Sequence, residues 1–406
     1  MVLSGSVLAQ LIQLLASPIL TRVFDPTEIG ALTVFLAFSQ VALPAIGGKY
    51  EVAMVLPRSE RNAKLLLGIA LRINLLISLG VLCVLLFPAS VFFSNENAEL
   101  LSNWIWLIPV YIWLAGNVII LQYALNRAES FGRLGVTRIA VAFFTVAISI
   151  SLGVYGMGVG GLIIGAFTGQ LLTMILLLFW NRSSIGWCSI NWSPRHCALL
   201  KKYRDFPMFN ASSSLLDGIT LALPILVIGK YFSGDVVGWF GLMYRVASAP
   251  VSLVSSSISQ VNLRFVAQAV RDGASPLPHI LRTASLLFAL SVLPLVIILV
   301  WGPELFGLVF GSSWETAGEY ARFLAPAFAM RFIASPLSST LGATQNNRLG
   351  MIWKLLAFVT TVTVLAGSLI TLNPNTVILA LGISDFCLYV LYLGFIVYAA
   401  VHPRNA

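Results

Sequence analysis

Twelve apolar runs, each long enough to cross a lipid bilayer as an α-helix, follow one another along this chain. They lie at about residues 3–23, 29–56, 65–93, 102–125, 134–154, 158–180, 206–231, 236–263, 283–301, 317–342, 349–372 and 376–400. A hydrocarbon core about 30 Å thick takes roughly 20 helical residues, and within it each backbone N–H and C=O must be paired inside the segment. Strands of a membrane barrel would be about ten residues long and alternate in polarity, whereas these runs are continuous. The composition agrees, because 58% of the 406 residues are hydrophobic and only 10% are charged, outside the range of a soluble domain. The sequence predicts an all-α integral membrane protein of twelve transmembrane helices.

Orientation follows from the loops, since lysine and arginine collect on the cytoplasmic side of short connections. With the N-terminus inside, segments 57–64, 126–133, 181–205, 264–282, 343–354 and 401–406 hold 16 of the 24 basic residues and the opposite loops hold none. Those outer loops carry Asp25, Glu28, Glu96, Glu99, Asp235, Glu304 and Glu315 instead. Both termini are therefore expected in the cytoplasm. The net charge of +9 is a topology signal, and its spread over six short loops without an aromatic-interleaved patch argues against nucleic acid as a partner. Residues 1–24 lack the basic flank of a secretory signal and read as the first span, with a short charged lead expected before them. Cys83 and Cys387 sit in spans and Cys188 and Cys197 in the reducing cytoplasmic loop, so disulfides are not expected. Cys188, His196 and Cys197 match no zinc spacing. Neither a metal nor a cofactor is expected.

The polar stretch 181–205 divides the chain into two sets of six spans, 1–180 and 206–406, joined by a cytoplasmic linker. The first span leads into "SPILTRVFDPTEIGAL" (17–32) and the seventh into "LPILVIGKYFSGDVVGWF" (223–240). Both read Pro-Ile-Leu, a basic residue, an aromatic, an acidic turn and a glycine at the next span. Each set begins on the cytoplasmic side, as in a parallel repeat about an axis normal to the membrane, an arrangement that encloses a transport route.

Polar residues inside spans fall at helical spacing. The eighth span carries Arg245, Ser248, Ser252, Ser255, Ser259 and Asn262; the first carries Ser6, Gln10, Gln13, Ser17 and Thr21; the seventh carries Asn210, Ser214, Asp217 and Thr220; the second carries Thr33, Gln40, Pro44, Gly47 and Glu51. Small hydroxyl residues also let helices approach closely, which would explain serines but not Arg245 or Asp217. Arg245, Asp217, Arg331 and Asp385 all fall near the bilayer midplane, where a lone charge costs about 2.5–3.5 kcal/mol on insertion scales. Two readings stay open: structural pairs, Asp217 with Arg245 and Arg331 with Asp385, or a hydrated cavity in which these charges meet a ligand or a proton.

The stretch "PAIGGKYEVAMVLP" (44–57) puts Lys49 and Glu51 inside an apolar run. Two residues apart, they point about 200° apart on a regular helix and cannot pair. Either Gly47 and Gly48 break the helix and turn Lys49 inward, or Lys49 snorkels to the headgroups. A break at Pro44, Gly47 and Gly48 would also supply a hinge.

Taken with these residues, "LASPILTRVFDPTEIGALTVFLA", "KYEVAMVLP" and the stretch from "YRDFPMFNASSSLLDG" to "VSLVSSSISQV" (203–261) resemble bacterial polysaccharide-export flippases of the Wzx type. These belong to the multidrug/oligosaccharidyl-lipid/polysaccharide (MOP) exporter superfamily, with MATE drug transporters and the lipid II flippase. The resemblance implies two six-helix lobes around a central cavity, a monomer in the bacterial cytoplasmic (inner) membrane, and no enzymatic chemistry. Its substrate would be undecaprenyl diphosphate carrying an oligosaccharide repeat unit, flipped from the cytoplasmic to the periplasmic leaflet by alternating access for O-antigen, capsule or exopolysaccharide synthesis. Partners would be membrane lipids, a polysaccharide polymerase and its chain-length machinery. The lipid II flippase holds its diphosphate with basic residues on its first, second and eighth helices; by helix and depth, Arg22, Lys49 and Arg245 correspond here. Arg331, Ser248, Ser252, Gln10 and Gln13 complete the expected substrate contacts, and Glu51, Asp217 and Asp385 are the candidate ion-coupling groups. The chain has no nucleotide-binding Gly-Lys-Ser/Thr loop, so ion gradients or substrate flux would drive it. The rivals are a MATE-like cation or drug antiporter, disfavoured by the basic spans, and a polysaccharide polymerase, disfavoured by outer loops no longer than about fifteen residues.

Overall fold

A computed structural model describes residues 2–87, 99–185 and 193–403. It is helical throughout those residues, and eleven helices among them are long and apolar enough to cross a membrane. In the first compact unit, residues 1–237, the long helices are α1 (Val2–Val23), α2 (Pro26–Ala42), α3 (Glu60–Val84), α4 (Leu107–Arg127), α5 (Phe131–Val154), α6 (Gly158–Ile185) and α7 (Ser212–Tyr231). A short linker helix, Pro194–Lys202, precedes α7. The second unit, residues 238–406, holds α8 (Gly234–Arg271) beyond its first turn, α9 (Leu277–Phe310), α10 (Glu315–Leu337), α11 (Asn347–Ser368) and α12 (Pro374–Val401).

The tenth expected span coincides with α10, a 23-residue helix that carries Glu315, Glu319, Arg322 and Arg331 and is not among the eleven. Its charges are held locally: Arg322 donates to the Val300 carbonyl and lies 3.5 Å from Glu304. Several helices outrun their apolar runs. At about 1.5 Å per residue, the 38 residues of α8 exceed a bilayer's thickness, because arginine and glutamine propagate a helix as readily as leucine does and carry it into water. The expected third span's last residues, 88–93, lie outside the described residues.

Turn chemistry explains the hairpin between α1 and α2. Pro26 takes the first helical position of α2, where a missing N–H costs nothing, and the backbone N–H of Asp25 donates to the Glu28 carboxylate at 3.0 Å. The joint between α7 and α8 is equally short, and Pro18 and Pro224 of the two Pro-Ile-Leu motifs both sit inside their helices.

Close backbone approach holds the first unit together. A Cβ on Gly5 would lie 2.5 Å from the Cα of Gly135, so α1 and α5 nearly touch; Gly165 and Gly169 face Ser149 and Thr145 in the same way between α6 and α5. Small residues replace the hydrophobic drive that lipid cannot supply. Buried Asn74 on α3 ties that helix to α4, donating to the Trp113 carbonyl at 3.0 Å and the Asn117 side chain at 2.8 Å. In the second unit Val266, Ile280, Ala334, Leu337, Tyr392 and Ile396 form a buried cluster between α8, α9, α10 and α12. Large apolar side chains such as Leu290, Leu293 and Leu308 of α9 are exposed instead, as lipid-facing residues are in a membrane span.

Candidate functional site

Helix α2 ends at Ala42, and the chain then makes an irregular turn over Leu43–Lys49 before a last helical turn at Tyr50–Ala53. Ile46 is extended, with ψ 146°, and Gly47, Gly48 and Lys49 follow with φ of 65°, 61° and 62°. Three successive left-handed residues cannot continue a right-handed helix. Glycine takes that conformation freely, while Lys49 holds it at a cost of roughly 1–2 kcal/mol. Of the two sequence readings, the broken helix is the one observed. Proline alone does not cause it, since α8 runs unbroken through Pro250; the glycine pair does.

Glu51 lies just beyond the break, 1% exposed. Its Oε2 has no hydrogen-bond partner, and Lys49 and Tyr123 are the charged or titratable groups that interact with it. Gly47 packs so tightly here that a Cβ would come 2.5 Å from Oε2 of Glu51 and 3.2 Å from Ala70. Lys49 is half-buried. The segment is clamped from two sides. Arg127, in the last turn of α4, donates to the carbonyls of Met54 at 3.0 Å and Val55 at 3.2 Å and pairs with Glu60 at 3.0 Å. The hydroxyl of Tyr50 donates to the Leu200 carbonyl of the linker helix Pro194–Lys202 at 3.4 Å. The widened turn Phe206–Ala211 that opens the seventh span packs against the break as well.

The α1 residues separate. Gln10 lines an open, mostly apolar cavity of about 330 Å³ within the first unit, together with Ser6, Gln122, Arg138 and Gln170. Gln13 is exposed, and its backbone carbonyl accepts from Ser17 at 2.8 Å. Arg22 is exposed in the last turn of α1. The 17 residues of α2 separate that end of the hairpin from Lys49, about 25 Å at 1.5 Å per residue, so these two cations do not converge on one diphosphate here. Asp217 is half-buried on α7.

In the second unit Arg331 and Asp385, which one of the two sequence readings paired, do not form a contact ion pair. Arg331 instead donates to the hydroxyl of Tyr244 at 2.7 Å and lies 5.7, 5.9 and 5.8 Å from the ring centres of Tyr244, Phe328 and Tyr389. Asp385 and Arg331 interact electrostatically at longer range. Aromatic faces surround the guanidinium where a carboxylate was expected, a cation–π cage that leaves its other N–H groups available.

Arg245 is half-buried on α8, one residue past Tyr244. Below it, Ser248 and Ser252 donate to the carbonyls of Arg245 and Ala249 on their own helix, at 3.2 and 2.8 Å. Farther along the stripe, Ser259 donates to the Pro336 carbonyl at 3.1 Å and Asn262 to Ser339 and Thr340 at 2.9 and 3.0 Å. The Ser259–Asn262 part of the stripe is thus packing, and the hydroxyl of Ser255 is buried as well.

Sequence reasoning passed over Arg127, Arg138 and Tyr244. A cation inside an apolar span was the available signal for Arg138. Nothing in the sequence pointed to Tyr244 over other aromatics. His196 is no ligand in this arrangement: its Nδ1 accepts from the Ser193 backbone N–H at 3.0 Å and caps the helix Pro194–Lys202, and Cys188 lies outside the described residues. Among the described residues no group of three or more His, Cys, Asp or Glu could hold a metal ion.

A family model described as polysaccharide biosynthesis protein matches residues 19–319. The chain is 25% identical over 324 residues to the succinoglycan biosynthesis transport protein ExoT of Rhizobium meliloti, covering 76% of this chain and 61% of that protein. It is 26% identical over 166 residues to the teichuronic acid biosynthesis protein TuaB of Bacillus subtilis, covering 40% of this chain and 34% of that one. The chain therefore spans about three-fifths and one-third of the lengths of these two relatives. Its fold is similar to an inward-facing multidrug resistance MATE family transporter of the MOP superfamily, with a TM-score of 0.79 at 12% identity over 98% of this chain and 96% of that one. It is also similar to the lipid II flippase MurJ in an inward closed conformation, with a TM-score of 0.78 at 15% identity over 96% and 86%. At these identities the structural likeness is one of fold.

Proposed function

This multi-pass membrane protein belongs to the family of polysaccharide biosynthesis proteins, and on that premise we propose that it is a flippase for a saccharide carried on a lipid diphosphate. The substrate would be undecaprenyl diphosphate bearing an oligosaccharide repeat unit, moved from the cytoplasmic to the periplasmic leaflet of the bacterial inner membrane, with both termini in the cytoplasm. The observation that carries this reading is the break in the second span, where a cation, Lys49, and a buried, unsatisfied carboxyl oxygen, that of Glu51, follow two left-handed glycines. A membrane helix broken in this way has a point at which to bend between access states, and charges kept at depth mark a transport route.

In this mechanism Lys49 and Arg245 draw the diphosphate from the inner leaflet. Arg331, with the aromatic faces of Tyr244 and Tyr389, and the hydroxyls of Ser248 and Ser252 meet the sugars, and Gln10 and Gln13 extend the polar surface along α1. Arg22, at the far end of α1, would meet the diphosphate on the outward side. Glu51 is the leading ion-coupling group, with Asp217 and Asp385 as further sites. Pro44, Gly47 and Gly48 form the hinge. The polysaccharide polymerase and chain-length machinery would receive the product.

The fold is shared with drug antiporters, and binding separates the two readings. Purified protein should bind a lipid-linked diphosphate oligosaccharide, lose affinity on Lys49→Ala and Arg245→Ala, and show no competition from the organic cation ethidium. Displacement by ethidium would favour the antiporter.

A further inference from the structure

Helices α8, α9 and α10 of the second unit leave a slot of about 250 Å³ between them, walled by Val246 and Ala247 of α8, Leu290 and Pro294 of α9, and Phe328 and Phe332 of α10. Small residues keep it open. Ala321, Ala325 and Ala329 line it from one face of α10, each too short to reach across, and Pro250 adds only a compact ring from α8. Ser291 is the one polar lining residue, and its hydroxyl is spent on the Phe288 carbonyl at 2.8 Å, so nothing in the slot calls for water. Leu290 shares an exposed face of α9 with Leu286 and Leu293, which opens the slot toward lipid. Its other border is charged. The ring centre of Phe328 lies 5.9 Å from the Arg331 guanidinium, and Val246 directly follows Arg245 along α8.

An empty apolar slot forfeits contacts along each of its walls, so hydrocarbon from the bilayer fills it. Burial alone does not select the occupant, because lipid tails are as apolar as the walls. The group at the slot's border does. We propose that the slot holds the isoprene units next to the diphosphate of the lipid carrier, between α8, α9 and α10. The proposal rests on the flippase reading and names where that substrate's hydrocarbon is held. A polyprenyl diphosphate joins hydrocarbon to charge without a spacer, the same adjacency that Phe328 gives the slot and Arg331. A diacyl phospholipid interposes glycerol and ester carbonyls, for which these walls hold no free donor. The methyl branches of a polyprenyl chain also suit the notches that Ala321, Ala325 and Ala329 leave roughly 6 Å apart, and a straight acyl chain has no such branches. The size agrees: an apolar cavity of about 150 Å³ takes one benzene, so about 250 Å³ takes roughly ten carbons, about two isoprene units, and the rest of the chain stays in the bilayer.

The test is photo-crosslinking and binding with the full-length protein in phosphatidylcholine nanodiscs, against empty nanodiscs. Geranylgeranyl diphosphate with a diazirine in the isoprene unit next to the diphosphate should crosslink within 246–251, 290–298 and 321–332. Unlabelled geranylgeranyl diphosphate should suppress the crosslink at a concentration about tenfold or more below that needed of phosphatidylglycerol or of inorganic diphosphate. Ala325→Phe fills the slot about 9 Å along α10 from Arg331. It should weaken geranylgeranyl diphosphate about tenfold and leave inorganic diphosphate unchanged. Ala247→Leu should do the same in part, and it keeps the test decisive should Ala325→Phe fail to fold. Crosslinks outside those segments, unchanged affinity in the variants, or equal suppression by phosphatidylglycerol would overturn the slot. A protein that translocates lipid-linked saccharide yet gives any of these results would overturn the slot alone and leave the flippase reading intact.

Discussion

Replacing the two glycines of the α2 break one at a time separates backbone strain from crowding at Glu51. Gly48 has φ 61°, and a Cβ there would meet nothing closer than 3.4 Å. Gly48→Ala should therefore cost only the left-handed penalty, roughly 1–2 kcal/mol. Gly47 has φ 65°, but its Cβ would lie 2.5 Å from Oε2 of Glu51, so the carboxyl or the turn must move. Overpacking of that kind adds about 1–3 kcal/mol, which puts Gly47→Ala at roughly 2–5 kcal/mol. Pairing it with Glu51→Ala should recover the crowding part, so that the double variant is less destabilised than the sum of the singles by about 1–3 kcal/mol. Unfolding free energies from steric trapping in bicelles would give all four corners of the cycle. Equal costs for Gly47→Ala and Gly48→Ala, or additivity of the double variant within about 0.5 kcal/mol, would refute the packing of Glu51 against Gly47.

Lys49→Gly should raise stability by about 0.5–1 kcal/mol, since it relieves a left-handed lysine, while lowering binding of the lipid-linked diphosphate; a destabilised variant in steric trapping would contradict the strain. Arg127→Ala should cost about 1.5–3 kcal/mol by freeing the Met54 and Val55 carbonyls, and hydrogen exchange should rise over residues 50–56 before any other segment. Tyr244→Phe removes the 2.7 Å hydrogen bond to Arg331 but keeps the ring over it, so folding should survive and saccharide affinity fall; unchanged affinity would take Arg331 out of the binding surface. Cysteines placed at exposed Ser275 and Ser312 should label oppositely in intact cells, with Ser312 reached from the periplasm and Ser275 not.

The helices were legible because the bilayer imposes a single rule, about 20 apolar residues per crossing, and α10 was legible despite its charges because apolar residues surround them. The break at Gly47 and Gly48 was one of two readings that Lys49 and Glu51 left open, because a lysine can also snorkel from an unbroken apolar helix. Helix ends were not legible: α8 and α9 run past their apolar runs because charged residues extend a helix as well as apolar ones do. Partners of buried charges were also beyond reach. Opposite sign made Asp385 one possible partner of Arg331, whereas an arginine fork is equally satisfied by a tyrosine hydroxyl and aromatic faces, and periodicity does not distinguish Tyr244 from a lipid-facing ring. The serine stripe of α8 read as one surface, yet Ser259 and Asn262 are spent on the Pro336–Thr340 segment. Spacing shows which face a residue takes and not what covers that face.

If this chain carries a diphosphate-linked saccharide across the bilayer, with charges on the broken second span taking part, labelled lipid must change leaflets in its presence. Proteoliposomes containing the purified protein and a fluorescent lipid-linked oligosaccharide, with quencher added outside, measure that movement directly. The wild-type protein should expose the inner-leaflet pool to the quencher, Lys49→Ala should slow the exposure severalfold, and protein-free vesicles should keep their inner-leaflet signal protected. Wild-type vesicles that protect as much signal as protein-free ones, or a Lys49→Ala rate equal to the wild type, would contradict the account.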